Sequence, residues 1–263
     1  MGLGMFLKKF NLALGLTFLL LVPEIYGQET PKYSAGVNLW GRPGMLLGDS
    51  FERFPAGTWI FSTHYAFQSF ASGENISLLP VGITFMATDN LVFYANSDYR
   101  LFSAGQGFNL LAVGGKLGLR IDDPAWQFSL GGDVSTGPLS NSLGPATTDF
   151  IPTGTVSYTF PVGLMFNFEL GVYLPGGGWP PYMRFDPGFA YPLSSDITAL
   201  LELTGHNSQE GPTNPGSSVA FGIRGNGPLH LQAFLGLGTS GDAPSYYGGA
   251  SLLIASSLFD GLI

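Results

Sequence analysis

The 263-residue chain contains no cysteine, which removes disulfide frameworks, thiolate zinc sites, cysteine nucleophiles and an acylated lipoprotein cysteine together. Charge is scarce as well. Asp, Glu, Lys and Arg make up 11% of the residues, less than half of the ~25% usual in a globular protein. That is too little for an outer surface wet on all sides. After the first 25 residues no stretch reaches the run of ~18 apolar residues that a membrane helix needs. The formal net charge of −8 leaves no basic stripe for phosphates, so a nucleic-acid partner is excluded. What the chain does have is 39 glycines, 19 prolines and an aromatic content of 14%. An apolar, aromatic, helix-poor chain of this kind fits a closed β-barrel whose outer face meets lipid.

The first residues read as an address. Lys8 and Lys9 precede an apolar stretch from Leu12 to Val22, and Gly27 stands before Gln28. This is the layout of a secretory signal peptide over 1–27, with an apolar core too short for a membrane anchor.

From Gly57 onward the pattern has period two. Trp59, Phe61, Thr63, Tyr65 and Phe67 alternate with Thr58, Ser62, His64, Ala66 and Gln68, an aromatic face against a polar one. The same alternation predicts twelve strands, near 57–68, 76–87, 91–101, 108–120, 125–136, 151–160, 162–174, 182–192, 197–206, 217–224, 229–239 and 246–256. Thr88-Asp89-Asn90, Asp122-Asp123-Pro124, Phe160-Pro161, Ser194-Ser195-Asp196 and Asn226-Gly227-Pro228 have tight-turn chemistry. The connections near 69–75, 102–107, 137–150, 175–181, 207–216 and 240–245 are longer, so short and long alternate. An antiparallel transmembrane barrel over 57–263 has this form, with short periplasmic turns and longer external loops. Residues 28–56 read as a lead-in, periplasmic or folded into the barrel mouth, because a thirteenth strand would spoil the alternation.

Charge placement sharpens the reading. Asp98, Arg100, Lys116, Arg120, Asp133, Glu169, Arg184, Asp186, Glu202 and Arg224 all share parity with the polar or glycine positions of their strands. In 162–174, for instance, Asn167 and Glu169 oppose Phe166, Phe168, Leu170 and Val172. A basic residue on the lipid face near mid-membrane costs about 2–4 kcal/mol, which gives this sorting its physical cause. These ten residues, with His64 and His230, are the expected lumen-lining set. Five are acidic and five basic, so the lumen is nearly balanced.

Other constellations carry little chemistry. Gly236-Leu237-Gly238-Thr239-Ser240-Gly241 spells GxGxxG, but it leaves a strand for a proline-bearing loop rather than opening a helix. His64, His206 and His230 fall on different strands without metal-ligand spacing. No metal, cofactor or catalytic residue is therefore expected. The pairs Asp98/Arg100 and Arg184/Asp186 face one side and could form either an opposed-charge constriction or a ladder of ion pairs. Trp59, Tyr65, Tyr99, Trp126, Tyr158, Phe160, Tyr191 and Tyr246 lie near strand ends, where interfacial girdles belong. In the last strand, Tyr247, Gly249, Leu252 and Ile254 are spaced like the signal that outer-membrane barrels present to their assembly machinery.

Phe54-Pro55-Ala56-Gly57-Thr58-Trp59, Thr88-Asp89-Asn90-Leu91, the turn from Pro192 to Thr198, and Gly241-Asp242-Ala243-Pro244-Ser245-Tyr246-Tyr247 together resemble a known family. It is that of the outer-membrane transporters grouped with the meta-pathway phenol-degradation proteins. The resemblance implies a channel or transporter in a Gram-negative-type outer membrane, for small hydrophobic or aromatic molecules. Its expected partners are the lipid bilayer, the assembly machinery and a small-molecule solute. A closed structural or surface-interaction barrel is the second reading, and an outer-membrane hydrolase the third.

Overall fold

The computed structural model describes residues 55–102, 106–119, 121–140, 146–177, 180–207, 217–226, 229–240 and 243–256. The expected signal peptide, residues 28–54 of the lead-in and Arg120 lie outside the described residues. Twelve strands are formed: β1 (Trp59–Ser69), β2 (Asn75–Thr88), β3 (Leu91–Phe102), β4 (Gly107–Leu119), β5 (Trp126–Gly137) and β6 (Thr147–Thr159). The second half contributes β7 (Met165–Tyr173), β8 (Tyr182–Pro192), β9 (Ile197–His206), β10 (Ser218–Gly225), β11 (Leu229–Gly238) and β12 (Tyr246–Ala255). Each strand pairs with its sequence neighbours, and β12 returns to β1, closing the sheet into an antiparallel barrel. At that seam His64 stands opposite Ser251. Closure leaves no sheet edge, which a hydrocarbon environment would not tolerate.

The alternation read from the sequence sorts side chains between two faces. On β11, Leu229, Leu231, Leu235 and Leu237 point outward and are exposed, while His230, Gln232 and Phe234 point inward and are buried. The outer face is apolar around the ring, with Phe61, Val81, Phe93, Val113, Leu130, Phe150, Leu170, Phe185, Leu203 and Phe221 all exposed. A continuous apolar surface of this extent is a lipid-facing belt rather than a wet one. Two groups of rings border it. Trp59 stacks on Phe85, and Trp126, Tyr158 and Phe160 pack in sequence near the turn end. Tyr99 meets Phe108 and Phe67 meets Tyr246 toward the other end. Amphipathic rings at both rims are the girdles of a transmembrane barrel.

Three details differ from expectation. β6 begins at Thr147 rather than 151, because Thr147–Phe150 extend the ladder against Val134–Gly137 of β5. β7 begins at Met165 rather than 162. Phe160–Leu164 instead form the turn, with Gly163 at φ +80° and its N–H donating to the Phe160 carbonyl. Loop lengths also fail to alternate strictly, since the 103–106 connection is shorter than 120–125. There β4 starts early and pairs Gly107 with Arg100 beyond a register shift at Asp98/Tyr99.

Gly236 shows how the interior accommodates rings. It stands opposite Tyr247, and a Cβ at Gly236 would lie 2.2 Å from that ring. Packing alone thus accounts for one of the three glycines of the GxGxxG match.

The two ends of the barrel make a topology prediction. An epitope tag inserted after Leu139, in the 138–146 connection, is expected to bind antibody on intact cells. One inserted after Asp123, in the 120–125 connection, is expected to stay shielded until the outer membrane is permeabilised. Labelling of the Asp123 insertion on intact cells would invert this orientation.

Candidate functional site in the barrel interior

The inward positions of the strands carry nearly all of the described strand charge. Asp98, Lys116, Asp133, Glu169, Arg184, Asp186, Glu202 and Arg224 are buried on the inner face, as are His64 and His230. Arg100 is half-buried near the end of β3, and Arg120 is not among the described residues. Strand parity brings them inside, and closure of the ring brings distant strands together.

Buried charges need partners, and several are seen. Arg184 Nε lies 2.7 Å from Asp186 Oδ2, so one of the two i,i+2 pairs forms a salt bridge. Asp186 also stands directly opposite Glu169 on β7, which places a second carboxylate beside the first. At the other pair, Asp98 Oδ2 accepts a 2.9 Å hydrogen bond from Asn109 Nδ2 across β3–β4. Arg224 Nε donates to Gln232 Oε1 at 3.1 Å, and His64 Nδ1 is hydrogen-bonded to Ser251 Oγ at 2.6 Å. Ser157 Oγ donates to Asn167 Oδ1 at 2.6 Å, and Ser218 and Tyr247 share a hydroxyl contact of 2.9 Å. Among the described residues no group of three His, Asp or Glu side chains is arranged to hold a metal ion.

The charge is distributed unevenly around the ring. β11, β12, β1 and β2 contain no Asp, Glu, Lys or Arg at all. Because β12 closes on β1, these four strands form one continuous uncharged sector of wall. Its inward residues include His230, Gln232, Ser251, His64 and Thr84, interrupted by apolar side chains. The charged residues all lie on the opposite arc from β3 to β10. Two apolar clusters also occupy the interior, one of them containing Ala66, Leu78, Leu200, Phe234 and Tyr247.

Sequence reasoning missed Ser251, Gln232, Tyr247 and the stacked Tyr173–Tyr182 pair, whose ring centroids are 4.7 Å apart. Parity alone would have placed them inside. What parity could not show is which of them meet, since that depends on register between strands.

No protein-family model matches the chain, and no curated protein matches it in sequence. Solved structures do match in fold. An outer membrane channel from Pseudomonas putida F1 superposes with a TM-score of 0.59 at 12% identity, over 79% of this chain and 98% of that one. The KdgM porin, in complex with disordered oligogalacturonate, gives 0.58 at 8% identity, over 74% and 98%. The NanC porin gives 0.55 at 12% identity, over 74% and 98%. At such identities the likeness establishes the fold, that of the outer-membrane β-barrels.

Proposed function

We propose that this barrel is an outer-membrane channel through which small molecules pass unchanged. The observation that carries the reading is the sorting itself, with charged and hydrogen-bonding groups inside a closed ring and an apolar belt outside. A membrane protein needing only a lipid-facing shell has no use for eight buried charged side chains. Asp98, Arg100, Lys116, Asp133, Glu169, Arg184, Asp186, Glu202, Arg224, His64 and His230 line the path in this reading. Similar folds among porins, one holding oligogalacturonate, support entry of solute into the interior. The resemblance to transporters grouped with phenol-degradation proteins favours small hydrophobic or aromatic cargo.

A second reading, a closed barrel without transport, is favoured by one observation. Lys116, Glu202 and Arg224 are each only 1% exposed. A hydrolase would need its serine and histidine where lipid reaches them, whereas the His64–Ser251 contact is buried inside.

Single-channel recording of purified protein in planar bilayers tests the proposal. The near balance of interior acids and bases is expected to give weak ion selectivity, with cation and anion permeabilities within about threefold of each other. Arg100→Glu is expected to shift that ratio toward cations. Removing residues 28–53 raises conductance if the lead-in enters the mouth. No conductance from either the full chain or that deletion would overturn the channel and favour the closed barrel.

A further inference from the structure

Three prolines stand inside the strands of a sheet that has no edge: Pro80 in β2, Pro152 in β6 and Pro187 in β8. A proline has no N–H to give to a ladder, so edge strands and bulges are its usual places. Each of these three interrupts the wall. On β6–β7 the pairing runs from Thr159↔Met165 to Thr153↔Gly171 and resumes only at the single bridge Phe150↔Leu174. That register puts Pro152 opposite Val172, whose carbonyl is left without its ladder donor. On β8–β9 the pairing runs from Pro192↔Thr198 to Gly188↔Glu202 and resumes at Phe185↔Gly205, with Pro187 opposite Leu203 in the break. On β1–β2 Pro80 falls opposite His64, between Thr63↔Val81 and Ala66↔Leu78.

Two of the breaks bracket one piece of wall. β7 and β8 pair with each other without interruption from Met165↔Ala190 to Tyr173↔Tyr182. Beyond the breaks, beside the connection that follows Leu174, these two strands have few ties to their outer neighbours. Phe150 and Leu174 exchange two backbone hydrogen bonds, and the Gly176 N–H donates to Asp149 Oδ1. On the other side the ties are the pairs Arg184↔His206 and Phe185↔Gly205 and two hydrogen bonds between Met183 and Asn207. The Pro80 break differs, because four further pairs, from Ala66↔Leu78 to Ser69↔Asn75, hold β2 to β1 beyond it. The bracketed segment, Val172–Leu174 with Tyr182–Asp186, is also held together from within. Tyr173 stacks on Tyr182, and Arg184 pairs with Asp186. It borders the most charged part of the inner wall, where Glu169, Asp186 and Glu202 are all buried.

We infer that this segment is the gate of the barrel, a flap that moves on the two proline breaks and uncovers the charged interior. This rests on the channel reading and adds to it how an interior sealed in this structure is opened. Moving the flap releases one bridge, two strand pairs and a few loop hydrogen bonds rather than two full ladders. Its own ladder, ring stack and ion pair travel with it, so it shifts as a unit between two positions.

Single-channel recording of the full chain reads the gate as the fraction of time spent open. Pro152→Val combined with Pro187→Val returns donors opposite Val172 and Leu203, one ladder hydrogen bond on each side of the flap. That pair of changes is expected to lower the open fraction about tenfold. Pro80→Val returns a donor opposite His64, away from the flap, and is expected to leave the open fraction unchanged. Heat-modifiability on gels identifies the variants that have folded. Phe150→Cys with Leu174→Cys ties the flap to β6, since facing hydrogen-bonded residues have Cα atoms about 5.5 Å apart, within disulfide reach. The chain has no other cysteine, so oxidation is expected to close this variant and reduction to reopen it in the same molecules. Openings unchanged by oxidation of the cross-linked variant, or a fall with Pro80→Val as large as with the double replacement, would overturn the gate and leave the channel standing. No conductance from the full chain or from the 28–53 deletion would overturn both.

Discussion

Replacing Leu130 by Arg is expected to destabilise the assembled barrel by about 2–4 kcal/mol, the cost of a guanidinium at the lipid face near mid-membrane. Leu130 lies near the centre of β5 and is 59% exposed on the outer face. Its cross-strand neighbours there are Leu117 and Gly154, and neither can hydrogen-bond a guanidinium through its side chain. Mid-strand placement leaves the new side chain a long way to reach either rim. Urea titration of the barrel reconstituted in liposomes, followed by heat-modifiability on gels, measures the loss. An unchanged midpoint would show that Leu130 does not face hydrocarbon, and would undo the assignment of inside and outside.

Replacing Arg184 by Met is expected to cost about 3–5 kcal/mol, the usual consequence of breaking a buried ion pair from one side. The guanidinium sits 2.7 Å from Asp186, whose carboxylate already stands opposite Glu169. Without it, neighbouring acids repel one another where water screens them poorly. Adding Asp186→Asn to the Arg184→Met variant removes one of those charges and is expected to recover most of the loss. The double-mutant cycle, measured by the same titration, gives the coupling directly. Additive effects of the two changes would mean that the pair contributes nothing as a unit.

The ring of twelve strands was legible because each strand is a separate and local signal. Period-two alternation such as Trp59-Ile60-Phe61-Ser62-Thr63-His64 needs no knowledge of the neighbour. The inward parity of Glu169 or Lys116 is equally local, since a lipid face penalises charge wherever it stands. Strand ends were less legible where a ladder or a turn decided them. Thr147–Phe150 look like loop until β5 pairs with them, and Val162–Leu164 look like strand until Gly163 turns the chain. Lateral relations were not legible at all. The uncharged sector exists only because β12 meets β1, and the His64–Ser251 contact exists only through the register of that pair.

The seam between β1 and β12 has a consequence in time rather than in space. His64 and Ser251 are partners across 187 positions of chain, so the first strand to be made waits for the last before its outer edge is satisfied. Until then the growing sheet presents two rows of unpaired N–H and C=O groups, each a template for pairing with another chain. Contacts this distant in sequence form late and slowly. A polypeptide stopped short of β12 is therefore a strip with two adhesive margins rather than a narrower barrel. Such a strip must be kept from its own kind until the final ten residues of the sheet arrive.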